Sequence, residues 1–428
     1  MINNDQDALR AKVAEGVKRR RRFETVFRRF GLFSVCLGLF FLCAMLIQII
    51  SSGVGAFQQT YIYLEVDYDP RVLLMVDPTN EDQLAIANFD GTIQHSFQQR
   101  FNQLETKSAA REAKALVSVT SAFEIRDAIV AEPALIGQKR GFWLLADDDV
   151  DIYYKSRSDG DAYRERLSDG QLELIAELDD AEQIEVRFNR VFFSSGDSAE
   201  PEAAGILGAL IGSMLTLAIT LVLSFPIGIA SAIYMEEYAP KNWFTDFVEV
   251  NINNLAAVPS VVFGLLGLAI FLSWFGLPRS VPLVGGMVLT LMTLPTIIIT
   301  SRAAIKAVPR SIRDAAYSMG ASKMQVIMHH VLPIAMPGML TGTILGLAQA
   351  LGETAPLLMI GMVAFIVDIP GSMMDPATVL PVQIFLWADA PERAFIERSS
   401  AAIMVLLVFL LAMNACAVWL RRKLEKRL

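Results

Sequence analysis

Few residues of this 428-residue chain are of a type and spacing that could do covalent chemistry. There are three histidines, His95, His329 and His330. Neighbours on a helix point roughly 100° apart, so the His329-His330 pair is poorly placed to chelate one ion. Cys36, Cys43 and Cys416 all fall in apolar runs. Cys36 and Cys43 are seven residues apart and share a helix face, which reads as packing rather than metal or redox chemistry. Asp147, Asp148 and Asp149 could attract calcium, but they lack the EF-hand spacing and are expected in a solvated loop. Neither a Gly-x-Ser-x-Gly elbow, nor a His-Glu-x-x-His pair, nor a Gly-x-x-x-x-Gly-Lys-Ser/Thr loop occurs. The chain is therefore expected not to be an enzyme, to need no cofactor or metal, and not to bind ATP in the P-loop manner. The most telling ionisable residue is Glu353, which lies within an apolar run, where a charge costs about 2.5–3.5 kcal/mol.

The elements that must position these groups follow from composition. The chain is 54% hydrophobic and 19% charged, and its apolar residues are gathered into long runs. The net charge of −8 is an average of opposites. Residues 52–202 hold 29 Asp and Glu against 14 Lys and Arg, while the remainder is basic. An apolar run at 31–50 follows a basic segment containing Lys18, Arg19, Arg20, Arg21 and Arg22. Twenty residues at 1.5 Å rise just cross a core of about 30 Å. The basic segment abuts this run, so it reads as a positive-inside flank rather than a nucleic-acid patch. Val54-Gly55-Ala56 resembles a signal-peptidase site, but the long basic region and twenty-residue stretch predict a retained anchor. Further apolar runs occupy 205–234, 252–275, 281–301, 334–366 and 398–420, the fourth long enough to be broken. This gives six membrane helices with both termini cytoplasmic, in agreement with the basic loop 302–323 and the tail Arg421, Arg422, Lys423, Lys426, Arg427. The insert is expected to be α+β, with strands near 60–66 and 142–146 and helices at 98–117 and 121–131. Residues 194–202 read as a short linker.

The cytoplasmic loop 309–333 carries the main motif. Pro309 and Ser311 suit a helix start, Asp314-Ala315-Ala316 supplies small helix formers, and Gly320 permits a left-handed turn. This predicts a short helix, a turn and a second helix, serving either as a platform for another protein or as a basic loop against anionic lipid. The spacing from Asp314-Ala315-Ala316 through Gly320 to Leu332-Pro333 resembles the EAA loop of type I ABC importer permeases. Residues 346–358, including Gly352-Glu353-Thr354-Ala355-Pro356, together with 254–265 and 380–385, are similar to phosphate-specific permeases, particularly their A subunit. Asp314 stands where that family usually has Glu, His330 where it has an aliphatic residue, and Gln349 where its phosphate members have Arg.

The resemblance, which covers about 203–428, implies an all-α polytopic membrane protein of the ABC type I permease fold with an α+β periplasmic insert. Its parts would be a basic N-terminus (1–30), a first span (31–51), the insert (52–202) and the permease core (203–428). The chain would be a multi-pass bacterial inner-membrane permease that imports inorganic phosphate. Its partners would be two copies of an ATPase subunit, a second homologous permease, a periplasmic phosphate-binding protein and the lipid bilayer, with no nucleic acid. Asp314, Ala315, Ala316, Gly320, Leu332 and Pro333 would couple to the ATPase. Gln349, Gly352, Glu353, Thr354 and Arg302 would line the path or gate. Glu353 is read either as a gate bonded to Gln349 or to a sister permease's cation, or as a packing acid. Arg302 is read either as an exit-side phosphate contact or as a snorkelling residue. Sulfate or molybdate import is the alternative, and a membrane sensor the alternative of another class.

Overall fold

The computed structural model describes residues 2–75, 81–101, 107–156, 164 and 166–425. The expected Lys426 and Arg427 lie outside the described residues, as do parts of the expected helix 98–117. The chain divides into two units, residues 1–52 and 53–428. The first is helix α1 (Ile2–Gly53), whose apolar stretch is exposed all round.

In the second unit the insert builds a three-stranded antiparallel sheet in the order β2-β1-β3: β1 (Gln58–Asp67), β2 (Lys139–Leu145) and β3 (Ile184–Phe188). Ile62 of β1 lies opposite Leu144 of β2 and Ile184 of β3. Side chains alternate along β1, so Ile62, Leu64 and Val66 share one face and are buried. That face is covered by α2 (Phe89–Arg100), α3 (Lys107–Lys114), α4 (Ser121–Ala131), α5 (Asp148–Lys155) and α6 (Asp169–Asp180), through Ile93, Phe97, Ile125, Ile129, Val150 and Ile175. The α+β insert is present as expected.

The helical core follows: α7 (Leu207–Ile233), α8 (Trp243–Leu255), α9 (Ser260–Gly267), α10 (Pro282–Ala307), α11 (Arg310–Ser318), α12 (Lys323–Val326), α13 (Leu332–Gly352), α14 (Ala355–Met359), α15 (Leu380–Ala388) and α16 (Arg393–Glu425). Among the described residues five helices are long and apolar enough to cross a membrane. A sixth crossing is completed only when Trp243–Leu255 and Ser260–Trp274 are counted together. Those two segments meet at 104°, so the span expected at 252–275 is a bent pair of helices. The break falls at 256–259, where Pro259 precedes α9 and removes a helical N–H. The run 334–366, long enough to be broken, is broken. The helix stops at Gly352, α14 is one short turn, and Gly361 at φ +93° reverses the chain.

Span packing rests on small residues. Gly338 and Gly342 of α13 face Ala304 and Thr300 of α10, and Gly346 faces Ile297 and Thr293. This spacing of four lets two backbones approach closely without side chains between them. A Cβ at Gly342 would collide with the Thr300 side chain. Gly342→Val is therefore expected to destabilise the chain by about 1–3 kcal/mol, lowering the unfolding midpoint of detergent-solubilised protein. An unchanged midpoint would show that the α10–α13 crossing can widen freely.

Candidate functional site

At one end of the helical core the chain assembles a charged junction from four elements. α7 ends in a π-helical turn, Tyr234–Tyr238, which carries Glu236 and Glu237. Turns of this kind locally change the helical phase and redirect side chains. Arg302 of α10 is buried, and its Nε donates to Glu236 Oε1 at 2.5 Å while Nη2 donates to Glu249 Oε2 of α8 at 2.8 Å. Lys306 adds a looser contact to Glu236 at 3.3 Å. Arg302 thus does not snorkel. Its guanidinium is already held by two carboxylates, so a phosphate contact there would require one of them to let go.

Arg313 extends the junction into α11. Its Nη2 donates to Glu237 Oε1 at 2.9 Å and to the Ile305 carbonyl at 3.0 Å, and its Nη1 donates to the Val308 carbonyl at 2.6 Å. A cation here bonds the Val308 carbonyl at the end of α10 and adds a second donor to the Ile305 carbonyl, which also accepts the Val308 N–H. Sequence reasoning missed Glu236, Glu237 and Glu249. The available signal was the pair of acids directly after an apolar run that ends beside a basic loop.

The helix, turn and helix expected at 309–333 are present. In α11, Ile312 and Ala316 share a face and pack against Ile229, Ile305, Val326 and Val331. Asp314 and Ala315 are on the exposed side, whereas Ala316 is buried. Gly320 has φ +83°, the left-handed conformation that a side chain disfavours. Ser322 and Gln325 then form a reciprocal capping box that starts α12. Met319 is 88% exposed, with Tyr317, Met324 and Met328 also exposed around it. Leu332 and Pro333 are half-buried at the start of α13. His329 and His330 are exposed in a π turn, where His329 Nδ1 lies 3.2 Å from the Gln325 carbonyl.

The second constellation closes α13. Glu353 caps the helix end with φ −83° and ψ 117°, beyond the last helical turn. Counted from Lys323 the helix runs 30 residues, about 45 Å at 1.5 Å per residue, so Glu353 stands at its far end. Gln349 is exposed and Glu353 half-buried. The expected Gln349–Glu353 bond is absent, because the helix that would align them ends at Gly352. Among the described residues neither side chain has a hydrogen-bonding partner. Gly352 is exposed and Thr354 precedes α14, whose Pro356 and Leu357 are buried. Pro356 packs directly against Gly264 of α9. A cavity of about 10 Å³ beside Ser213, Thr216, Ala350 and Leu351 has room for about one water and none for an oxyanion.

Comparison with known proteins supplies the family. Residues 224–428 match the family described as "Binding-protein-dependent transport system inner membrane component", and 14–163 match one described as "Domain of unknown function". A probable ABC transporter permease of Bacillus subtilis, YqgI, is 30% identical over 251 residues, which is 55% of this chain and 84% of that one. Its compatriot YqgH is 33% identical over 229 residues, 52% and 72% of the two chains. The chain belongs to the ABC importer permeases. A phosphate transport system permease, PstA 1 of Mycobacterium tuberculosis, is 29% identical over 222 residues, 52% of this permease and 72% of that one. The permease is thus PstA-like and of type I. It is a multi-pass protein of the plasma membrane, and ATP is hydrolysed by separate subunits.

Outside the membrane the carboxyls of the insert differ from the expected solvated loop. Asp147 caps α5 by accepting the Asp149 N–H at 3.2 Å, and all three aspartates are half-buried. Burial pushes the Asp147 carboxyl up to about 8, helped by the charges of Asp148 and Glu202. Asp148 is also raised, first by burial and then by Asp149. Glu202 is buried as well, against the reading of 194–202 as a simple linker, and burial raises it despite a hydrogen bond from Ser118. Carboxyls raised on folding bind more protons in the folded state, so stability falls as pH rises above the ordinary carboxylate range. The purified chain is expected to unfold at progressively lower temperature between about pH 4 and pH 8, the interval bounded by the ordinary and raised values of Asp147. Asp147→Asn should flatten that slope, and a midpoint that rises with pH would contradict this assignment.

Proposed function

We propose that the chain is the A-type permease subunit of a phosphate importer. The observation that carries this is the match of its C-terminal half to phosphate transport permeases of several bacteria at about 29–30% identity. In this reading residues 309–333 receive the ATPase. The exposed Asp314, Ala315, Met319 and Gly320 support it, since small side chains and an apolar tip leave room for a second protein to seat. Two ATPase copies, a second permease and a phosphate-binding protein complete the assembly, with both termini of this chain cytoplasmic. The boundaries 1–30, 31–51, 52–202 and 203–428 are retained as functional divisions. Solute selection falls mainly to the binding protein, and nucleotide-driven motion at the coupling loop alternates access.

Glu353, half-buried and without a partner among the described residues, is assigned to a gate that a sister permease completes. Gln349, Gly352 and Thr354 form its neighbourhood, and Arg302 governs the cytoplasmic end. Uptake of labelled phosphate by the complex, competed with unlabelled phosphate, sulfate and molybdate, tests the solute. Competition by phosphate alone is expected, and preferential competition by either other oxyanion would reassign it. Glu353→Gln, checked for assembly, should lower uptake at least tenfold, a coupling effect within the usual range. Normal transport by this variant would remove Glu353 from the gate.

A further inference from the structure

The insert meets the last membrane helix over a charged and closely packed boundary. Lys155 ends α5 with a side chain only 11% exposed, and its Nζ lies 2.8 Å from Asp151 Oδ2 and 3.2 Å from Glu397 Oε1. The same ammonium donates to the carbonyls of Gly55 at 3.0 Å and Gln58 at 3.3 Å. One cation thus joins the insert's α5, the segment entering β1, and α16. The next residue on α16, Arg398, is 5% exposed and donates through Nη1 to the Ala204 carbonyl at 2.6 Å, on the segment that returns from the insert to the membrane. Gln59 of β1 donates to the Glu202 carbonyl on that same segment at 2.6 Å.

Beside these charges lies a shared apolar core. Phe192 at the end of the insert packs with Ala204, Ile206, Trp387, Phe395 and Ala401 from the return segment, α15 and α16. Trp387 Nε1 donates to Asp197 Oδ1 at 2.9 Å. Gly196 is pressed against the Val367 carbonyl, in the loop that follows the Gly352–Thr354 bend. Linked domains move relative to one another unless their interface is large and apolar. Here the apolar contact is continuous with the helical core. The buried ions add register, because a displacement of one residue would leave a carboxylate or an ammonium unpaired in a dry boundary.

We propose that the insert is a fixed outer-wall element of the permease, moving as one body with α15, α16 and the loop at Val367, and that Lys155 is the positioning residue that registers it through Glu397. The opening of the outer face then occurs between this body and other helices, and not by a swing of the insert.

Two measurements on the assembled complex test this. Spin labels at the exposed E173C of the insert and I396C of α16, in a chain with Cys36, Cys43 and Cys416 replaced, report their separation with and without trapped nucleotide. A coupling-loop pair, M319C with I396C, serves as the control that the complex is cycling. The insert pair is expected to stay within about 2 Å while the control pair moves. A change in the insert pair of about 5 Å or more would overturn the fixed wall. No solute enters that measurement, so its result stands whichever oxyanion the complex carries. For Lys155 itself, K155M is expected to lower phosphate uptake per inserted chain about tenfold, and K155R to restore it. This arm rests on the phosphate reading, and wild-type uptake is its control. Wild-type uptake by K155M, or failure of K155R to restore it, would remove the positioning role.

Discussion

Ala315→Arg is expected to leave the permease at its normal level in the membrane and to abolish ATP-driven uptake. Ala315 is exposed on α11, at the flank of the Ile312–Ala316 face that packs on Ile305 and Val326, while Asp314 lies opposite that face. A larger side chain therefore costs the isolated chain little, since surface substitutions usually fall within about 0.5 kcal/mol. At the proposed interface the same side chain would meet a close-packed partner surface, where an added bulky charge is both a clash and a desolvation cost. Uptake should fall at least a hundredfold, within the range of strong allosteric couplings. Co-purification of the ATPase should fall with it. The buried neighbour supplies the contrast: Ala316→Arg should damage the permease itself and lower its amount in the membrane. Full ATPase retention and full uptake by Ala315→Arg would exclude α11 as the docking helix.

The second large effect is expected at Arg302. Arg302→Met removes the guanidinium that bonds both Glu236 and Glu249, leaving the half-buried Glu236 with only the looser Lys306 contact. Removing one partner of a buried ion pair typically costs about 3–5 kcal/mol. The junction joins α7, α8 and α10, and through Glu237 and Arg313 it continues into α11, the proposed docking helix. Loss of uptake by two or more orders of magnitude is therefore expected, with loss of folded chain as a large component. Adding Glu236→Gln and Glu249→Gln to Arg302→Met separates the two roles. If Arg302 acts as a clasp, removing all three charges should recover folding and much of the transport. If it contacts the phosphate ion directly, folding should recover and transport should not.

Both predictions begin from residues that the sequence marked unequally. Asp314-Ala315-Ala316 and Gly320 were legible because a small-residue helix followed by a left-handed turn is a local pattern. The exposed side of α11 could not be read, because it depends on Ile312 and Ala316 finding Ile229, Ile305 and Val331. Arg302 was visible as a cation at the end of a span. Its two acids lie 66 and 53 residues away, and no local spacing links them.

Glu353 shows a different limit. A hydropathy run continues through 366, but hydropathy does not record where backbone bonding stops. Helix α13 ends at Gly352 and Gly361 takes a positive φ, so an acid expected within a continuous helix lies past a helix end. The same limit applies at 252–275, where two apolar segments meet at 104°. In the insert, the alternation in β1 announced a strand with one buried face. The burial of Glu202 and the half-burial of Asp147 came instead from packing between distant segments, and polar residues in sequence read as solvent-exposed.

Composition and local pattern alone determined that this chain enters a membrane repeatedly, carries an acidic α+β insert and forms a helix, turn and helix at 309–326, since hydrophobic runs, charge bias and turn residues act over a few neighbours. Only the tertiary structure decided that the insert is clamped to α16 by Lys155 and Arg398, that Arg302 is enclosed by acids, and that Glu353 lies past a helix end. Those facts depend on the burial of charges by segments up to 242 residues apart, and a buried charge takes its meaning from its partner.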